Sequence, residues 1–436
     1  MTPGALALGA VVAAVALGWL APQHPALALG GGAAVLILGV TSLDSGLVPL
    51  LCLPMLYVTQ RIGAGGVDLS VSDAALALGT LLAVSFGSHA YSPPLRALLW
   101  LTAAYQAATL FTVIANPYPA NTIEWFHAWF LTGGALILGW AVGRGRHGRT
   151  ALRLMLLAAC VLSGWVLLHA GINLTNGSTE PVYLPYGLHK NFLGTVIGTT
   201  ALIAYVRPVW LGIHRPFGAA IFWWLALGLA ATQSRQAIIA LAVTLLVLVF
   251  RSHTERRRSK SILLVIIPSM AIVLTLVREQ IASGNEFNSY FTRLTWLRDS
   301  MDIWSTNPIV GHGLRWWFAP EFIGNIQPPN AEIEVLTSAG LLGLLGFLVL
   351  MVGSIMVLRT VPPTYGTLAM LVLLSRFVQS QFDAFWTAGQ VSIPFVIAGV
   401  CLGVHALREA DGIATGAPVL AGEKQDRHDL DAEVAV

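Results

Sequence analysis

The residues of this chain that are equipped for chemistry are few, and most sit where long apolar runs stop. Ser234-Arg235 closes the run FWWLALGLAATQ. A guanidinium there offers a planar donor fork matched to phosphate oxygens, or it simply snorkels at a lipid surface. Arg293 and Arg298 flank Trp296 in FTRLTWLRDSMDIWS, where they either cover an anionic headgroup or pair with Asp299 and Asp302 on a solvated face. His189, Lys190 and Asn191 open another apolar run; ammonium and amide can bind a phosphate or sugar hydroxyls, or Asn191 caps a helix beside an interfacial lysine. Asn330, Glu332 and Glu334 lie together in PPNAEIE, which reads as carboxylates facing a polar cavity or as ordinary helix-start chemistry. Arg376 falls inside an apolar run shortly before Asp383, so it is a functional candidate or half of a structural ion pair. His312 stands between Gly311 and Gly313, and Asp73, Glu124, His127 and His169 end other apolar runs, with no spacing that ties them to the rest.

The elements that must position these residues follow from composition. The chain has 436 residues, of which 56% are hydrophobic and 10% charged. A soluble domain carries about 25% charged residues, so a soluble enzyme, a disordered scaffold and a disulfide-framed secreted domain are all excluded. Cys52, Cys160 and Cys401 lie within apolar runs and indicate neither metal nor disulfide. A net charge of +3 leaves no footprint for nucleic acid. There is no glycine-rich nucleotide loop, no histidine pair at helical spacing and no acidic cluster, so no cofactor and no metal are expected.

The reading is an all-α, polytopic transmembrane bundle of about 12–14 spans, since each crossing needs roughly 20 apolar residues. Spans are expected near 3–21, 26–42, 47–60, 72–87, 95–114, 122–143, 150–170, 187–206, 216–231, 235–250, 261–277, 331–357, 364–381 and 386–406. The run 47–60 is short and follows Asp44, which suggests half-helices there. Gly340, Gly343 and Gly346 suggest close helix packing. Alternating spans put RSHTERRRSK (251–260), Arg144, Arg146, Arg149, Arg207 and Arg215 on one side, which the positive-inside rule makes cytoplasmic together with both termini. The domain plan is then an N-terminal bundle at 1–277 and a large extracytoplasmic loop at 278–330 with short amphipathic helices. C-terminal spans follow at 331–408, and a polar, disordered cytoplasmic tail at 409–436.

Four segments together resemble the O-antigen ligase/O-antigen polymerase superfamily of bacterial membrane glycosyltransferases: GLHKNFLG (187–194), SRQAIIAL (234–241), RLTWLRDSMDIWSTNPIVGHGL (293–314) and PNAEIEVLTSAGLLGLLG (329–346). The resemblance implies inverting, metal-independent transfer of a glycan from a polyprenyl-diphosphate carrier to a glycan or lipid acceptor at the outer face of the bacterial cytoplasmic membrane. It makes Arg235 the residue that holds the donor diphosphate and Arg293 the second arginine, with Arg298, Lys190, Asn191, His189, Asn330 and Arg376 in supporting binding positions. The sequence departs from the family at Pro329, where the family's catalytic histidine stands before Asn330. Proline cannot accept a proton, so the base is supplied by Glu332, His312, Glu334 or His189, with Glu332 and His312 nearest the motif, or it is absent from a catalytically silent homologue. A transporter or flippase of a lipid-linked glycan is the reading from another class.

Overall fold

The computed structural model describes residues 35–415, apart from 38, 42, 45, 62–68, 88, 179, 252–261, 283–288, 319–327 and 387–388. The described chain is helical: α1 (Leu47–Met55), α2 (Val71–Phe86), α3 (Pro93–Ala115) and α4 (Pro119–Trp129), the last continued by a π-turn (Phe130–Gly134) into α5 (Ala135–Val142). There follow α6 (Gly148–Thr175), α7 (Lys190–Val206), α8 (Arg215–Thr232), α9 (Arg235–Phe250), α10 (Leu263–Ala282), α11 (Ser289–Thr306), α12 (Ala331–Thr360), α13 (Pro363–Ser380) and α14 (Ser392–Thr415).

The expected spans from 72 onwards coincide with helices. The first, and most of the second, lie outside the described residues. The run 47–60 forms only the nine-residue α1, with Pro54 inside it; at 1.5 Å per residue it covers less than half of a bilayer core. Among the described residues, four helical stretches are long and apolar enough to cross a membrane: Pro93–Ala115, Pro119–Thr175, Ala331–Thr360 and Ser392–Gly412. The second is hinged at Gly145 and Arg146, where the backbone leaves the helical region. Its two arms occupy the separate spans expected at 122–143 and 150–170. The chain is an all-α, multi-pass membrane protein. The last expected span starts late, at Ser392, because Gln381–Trp386 and Gly389–Val391 are not helical. The tail expected from 409 begins as helix, with α14 running to Thr415 and Asp411 paired with Arg146 at 3.2 Å.

Two devices set the packing. α5 and α14 cross face to face through Gly139 and Gly143 on one side and Gly399 and Gly403 on the other. A Cβ on Gly139 would meet the Val396 carbonyl oxygen at 2.1 Å, and one on Gly403 the Trp140 oxygen at 2.3 Å, so only glycine allows the approach. The second device is a break in α12. Gly340 has φ 64° and ψ −163°, open only to glycine, and it splits the helix into 331–339 and 341–360. The residues around 307–313 slot into the break: His312 N–H donates to Thr337 O at 3.0 Å, Gly313 N–H to Ser338 O at 2.9 Å, and Leu341 N–H to Pro308 O at 2.9 Å. Backbone groups released by the break are satisfied there, as a low-dielectric interior requires. Gly340 is thus a break and not a packing glycine. Gly346 does pack, against Ala108 and Tyr105 of α3.

The helix ends sort by charge. At one end Arg149 and Arg153 donate to the carbonyls of Trp210, Leu211 and Gly212, Arg146 meets Asp411, and Trp210 Nε1 donates to Thr364 O. At the other end lie the starts of α7, α9, α12 and α14, and with them most of the candidate site residues.

Candidate functional site

The site is built where α7 and α9 begin side by side. Gly194 lets them touch, since a Cβ there would lie 2.4 Å from the Ser234 side chain. Lys190 is the first residue of α7 and Arg235 the first of α9. His189, rather than Asn191, caps α7: its Nδ1 accepts from Phe192 N–H at 3.4 Å. That leaves the Asn191 amide free to donate to Asp383 Oδ2 at 3.1 Å, beside Gln236 Nε2 at 2.7 Å. Asp383 therefore joins the two helix starts. Arg293, from α11, donates to the carbonyl of Phe382 next door. Lys190 lies within the repulsive field of both Arg235 and Arg293. Three cations and the positive ends of two helices thus come together, an arrangement that an anion relieves.

The connection Gln381–Trp386 (QFDAFW) organises the whole end. Gln381 donates to Glu332 Oε1, Phe382 O receives Arg293, and Asp383 receives Asn191 and Gln236. The carbonyls of Ala384 (2.9 Å) and Phe385 both receive Arg376, Phe385 N–H donates to Glu334 Oε2 at 2.6 Å, and Trp386 O receives Arg315 at 3.4 Å. Six consecutive residues are each tied to a charged or polar side chain of another element. The sequence shows this stretch only as a polar gap between two apolar runs.

The candidates divide into groups. His189, Lys190, Asn191, Arg235 and Arg293 come together. Arg376 is fully buried, its guanidinium shared between backbone carbonyls, Gln390 (3.3 Å) and the face of Phe385 rather than paired with Asp383. It braces the connection from inside and is shut off from any ligand. Asn330 is the N-cap of α12, its Oδ1 accepting from Ile333 N–H at 2.9 Å. Glu332 holds Gln381 with one oxygen while its Oε2 is buried without a partner. His312 belongs to the latch in the break, its Nε2 donating to Ile303 O at 2.9 Å. Arg298 is exposed on α11. The helix expected near 291–305 is α11, packed against α12 with Ser300 buried.

A second group, acidic and more deeply buried, lies beside the first. Asp73 Oδ1 holds His127 Nε2 at 2.9 Å, His127 Nδ1 meets Glu124 at 3.2 Å, and Glu124 pairs with Arg315 Nε at 3.1 Å. Glu124, Arg315 and Glu334 line one small pocket with Tyr105, Ser338 and Trp386. Asp73, Glu124 and His127 do join the site end, through contacts no spacing reveals; His169 instead lies against Trp165 on α6. Arg315 and Tyr105 carry no sequence signal. Gln236 had one, its adjacency to Arg235.

Residues 220–350 match the family model of O-antigen ligase. This segment belongs to the O-antigen ligase family. No curated protein sequence matches the chain. The O-antigen ligase segment runs from α8 through the broken helix α12, so it contains Arg235, Arg293, His312, Glu332 and Glu334. Lys190, Asn191, Asp383 and Arg376 lie outside it, supplied by α7 and the connection after α13.

Asp383→Ala is expected to loosen this junction by about 3 kcal/mol, because hydrogen bonds to an ionised group contribute about 1.5–3 kcal/mol each and two amides lose their acceptor at a half-buried carboxylate. The thermal midpoint of the detergent-purified protein should fall by several degrees; an unchanged midpoint contradicts the joining role.

Proposed function

We propose that this O-antigen ligase-type protein transfers a glycan from a polyprenyl-diphosphate carrier to an acceptor hydroxyl, with inversion and without a metal ion. The reaction would take place at the outer face of the bacterial cytoplasmic membrane. The observation that carries the reading is the meeting of Lys190, Arg235 and Arg293 at the starts of α7 and α9. A diphosphate leaving group accumulates negative charge as the glycosidic C–O bond breaks, and fixed cations already in place stabilise it at no reorganisation cost. The guanidiniums supply the charge that a divalent cation supplies in other transferases. The arginines gathered at the opposite end support an orientation with that end, and both termini, in the cytoplasm.

In this reading the acceptor oxygen bonds to the anomeric carbon on the face opposite the diphosphate. The electron pair of the broken bond leaves on the diphosphate, and the hydroxyl proton passes to a base. The Phe382 carbonyl holds Arg293, and Asp383 joins the two helix starts that carry Lys190 and Arg235. Pro329 leaves the base to a residue other than the family's histidine.

Arg235→Ala and Arg293→Ala should each lower transfer about 10- to 100-fold, the loss of one charge-assisted contact of about 1.5–3 kcal/mol. Each should also weaken binding of undecaprenyl diphosphate to the purified protein. Transfer and binding unchanged in both variants would overturn the assignment. Movement of the lipid-linked glycan between leaflets without its consumption would point instead to transport.

A further inference from the structure

The pocket beside the cationic cluster has features that neither packing nor the diphosphate cradle uses. Tyr105, Ser338 and Trp386 are 1%, 2% and 7% exposed. Ser338 Oγ nevertheless has no hydrogen-bond partner, and Tyr105 Oη meets only Trp386 Nε1, although all three residues line the same pocket. An unpartnered buried donor or acceptor costs about 1–3 kcal/mol, and buried polar groups almost always find partners. The positions are not accidental slack. Tyr105 is stacked on Trp386 with ring centres 5.0 Å apart and planes at 20°, and Ser338 sits at the mouth of the helix break, its carbonyl receiving both Thr112 Oγ1 and Gly313 N–H.

The charges of the pocket define the ligand. Glu124 and Glu334 supply two carboxylates, matched by Arg315 in the lining and Arg376 behind it, so no positive charge is left over for a second anion. Hydroxyl and indole N–H donors beside carboxylate acceptors suit a neutral, hydroxyl-bearing group. The end of the bundle is thus segregated, with a basic cradle at Lys190, Arg235 and Arg293 and an acidic, hydroxyl-lined pocket beyond the connection.

The connection also sets their separation. Phe382 O receives Arg293 and Phe385 N–H donates to Glu334, and an extended chain covers at most about 10 Å between residues 382 and 385. That is the reach of a sugar ring attached to a phosphate. Glu334 is fixed by one oxygen to Phe385 N–H and faces Glu124 from α4, Arg315, Tyr105 from α3 and Arg376 from α13.

We infer that this pocket receives the acceptor hydroxyl and that Glu334 takes its proton, in the place left by Pro329. The inference rests on the proposed transfer reaction and names the acceptor side of the same site. The acceptor O–H breaks as the new oxygen–carbon bond forms. Its proton moves to the free oxygen of Glu334, the electron pair of the old glycosidic bond leaves on the diphosphate in the cradle, and the protonated carboxyl returns its proton to water. Ser338 and Tyr105, with Trp386 stacked behind, position the acceptor hydroxyl.

Two readouts on the full chain test this. One is binding of undecaprenyl diphosphate to the purified protein; the other is transfer in membranes that carry the host's own lipid-linked glycan. Glu334→Gln keeps the side-chain volume and an oxygen for Phe385 N–H. It should lower transfer at least 100-fold, within the range of general-base removal, and leave diphosphate binding within about 2-fold. Ser338→Ala and Tyr105→Phe should raise the acceptor concentration needed for half-maximal transfer several-fold while the maximal rate stays within a few-fold. Transfer by Glu334→Gln within 3-fold of the unaltered protein overturns the inference. So does an equal loss of diphosphate binding in that variant, which makes Glu334 a brace only. If Arg235→Ala and Arg293→Ala leave both readouts untouched, the underlying transfer reading fails, and it fails separately from the role of Glu334.

Discussion

Alanine in place of Gly340 is expected to leave little folded protein. The residue sits at φ 64° and ψ −163°, a region essentially reserved for glycine, and a Cβ would lie 2.1 Å from the Ile309 carbonyl oxygen and 2.5 Å from Val310 N. Those atoms are backbone, held by the same hydrogen bonds that seat the loop in the break, so no side chain can swing aside. The dihedral strain costs about 1–3 kcal/mol. Displacing the loop would orphan the carbonyls of Thr337 and Ser338 and the N–H of Leu341 at about 1–3 kcal/mol each. The sum exceeds about 4 kcal/mol, the exceptional end of single-substitution effects. The measurement is the monodisperse yield after detergent extraction, with its thermal midpoint. Gly171→Ala is the control: a Cβ there meets nothing within 4 Å, and alanine in a helix should gain about 0.5–1 kcal/mol. A Gly340→Ala protein as abundant and stable as the control would show that the break is dispensable.

Arg376→Leu should be nearly as damaging, and for a different reason. The guanidinium is wholly buried and donates to the carbonyls of Ala384 and Phe385 and to the Gln390 side chain. Leucine leaves those acceptors without donors in a dry interior, at about 3–5 kcal/mol in all. Both site regions depend on this connection, because Phe382 holds Arg293, Asp383 joins the starts of α7 and α9, and Phe385 fixes Glu334. Undecaprenyl diphosphate binding and transfer should therefore fall together, along with the thermal midpoint. Arg376→Lys keeps the charge but cannot fork between two carbonyls, so it should fall between leucine and arginine. Loss of transfer with full stability would instead mean that Arg376 meets the substrate.

Much of the cationic half of the site was legible in the sequence. Arg235, Lys190 and Arg293 stand out because a charge at the end of an apolar run is costly, and a cost that persists usually has a use. The acidic half was legible only in part: Glu334, Glu124, Asp73 and His127 could be named one by one, but nothing in their spacing joined them. Glu124, Arg315, Glu334 and Tyr105 come from residues 105 to 334, and what unites them is a pocket, which leaves no periodicity behind. His312 reads as a base when only its neighbours in sequence are known, yet its ring hydrogen-bonds backbone in the latch. Arg376 reads as an intramembrane site and is a brace, because only burial distinguishes a guanidinium that meets a ligand from one that meets carbonyls.

The shortage of charge and the lengths of the apolar runs determined by themselves that this chain is an all-helical membrane protein, and the order of its arginine motifs pointed to the O-antigen ligase family. Hydrophobic period and charge cost are local properties, written residue by residue. The tertiary structure alone decided that α12 is broken at Gly340 with a loop seated in the gap, and that Gln381–Trp386 joins the cradle to the pocket. It also placed Glu334 rather than residue 329 in one pocket with the unpartnered Ser338 hydroxyl. Those outcomes depend on which backbone groups a dry interior leaves unsatisfied and what lies close enough to meet them, and that is settled only when distant segments pack.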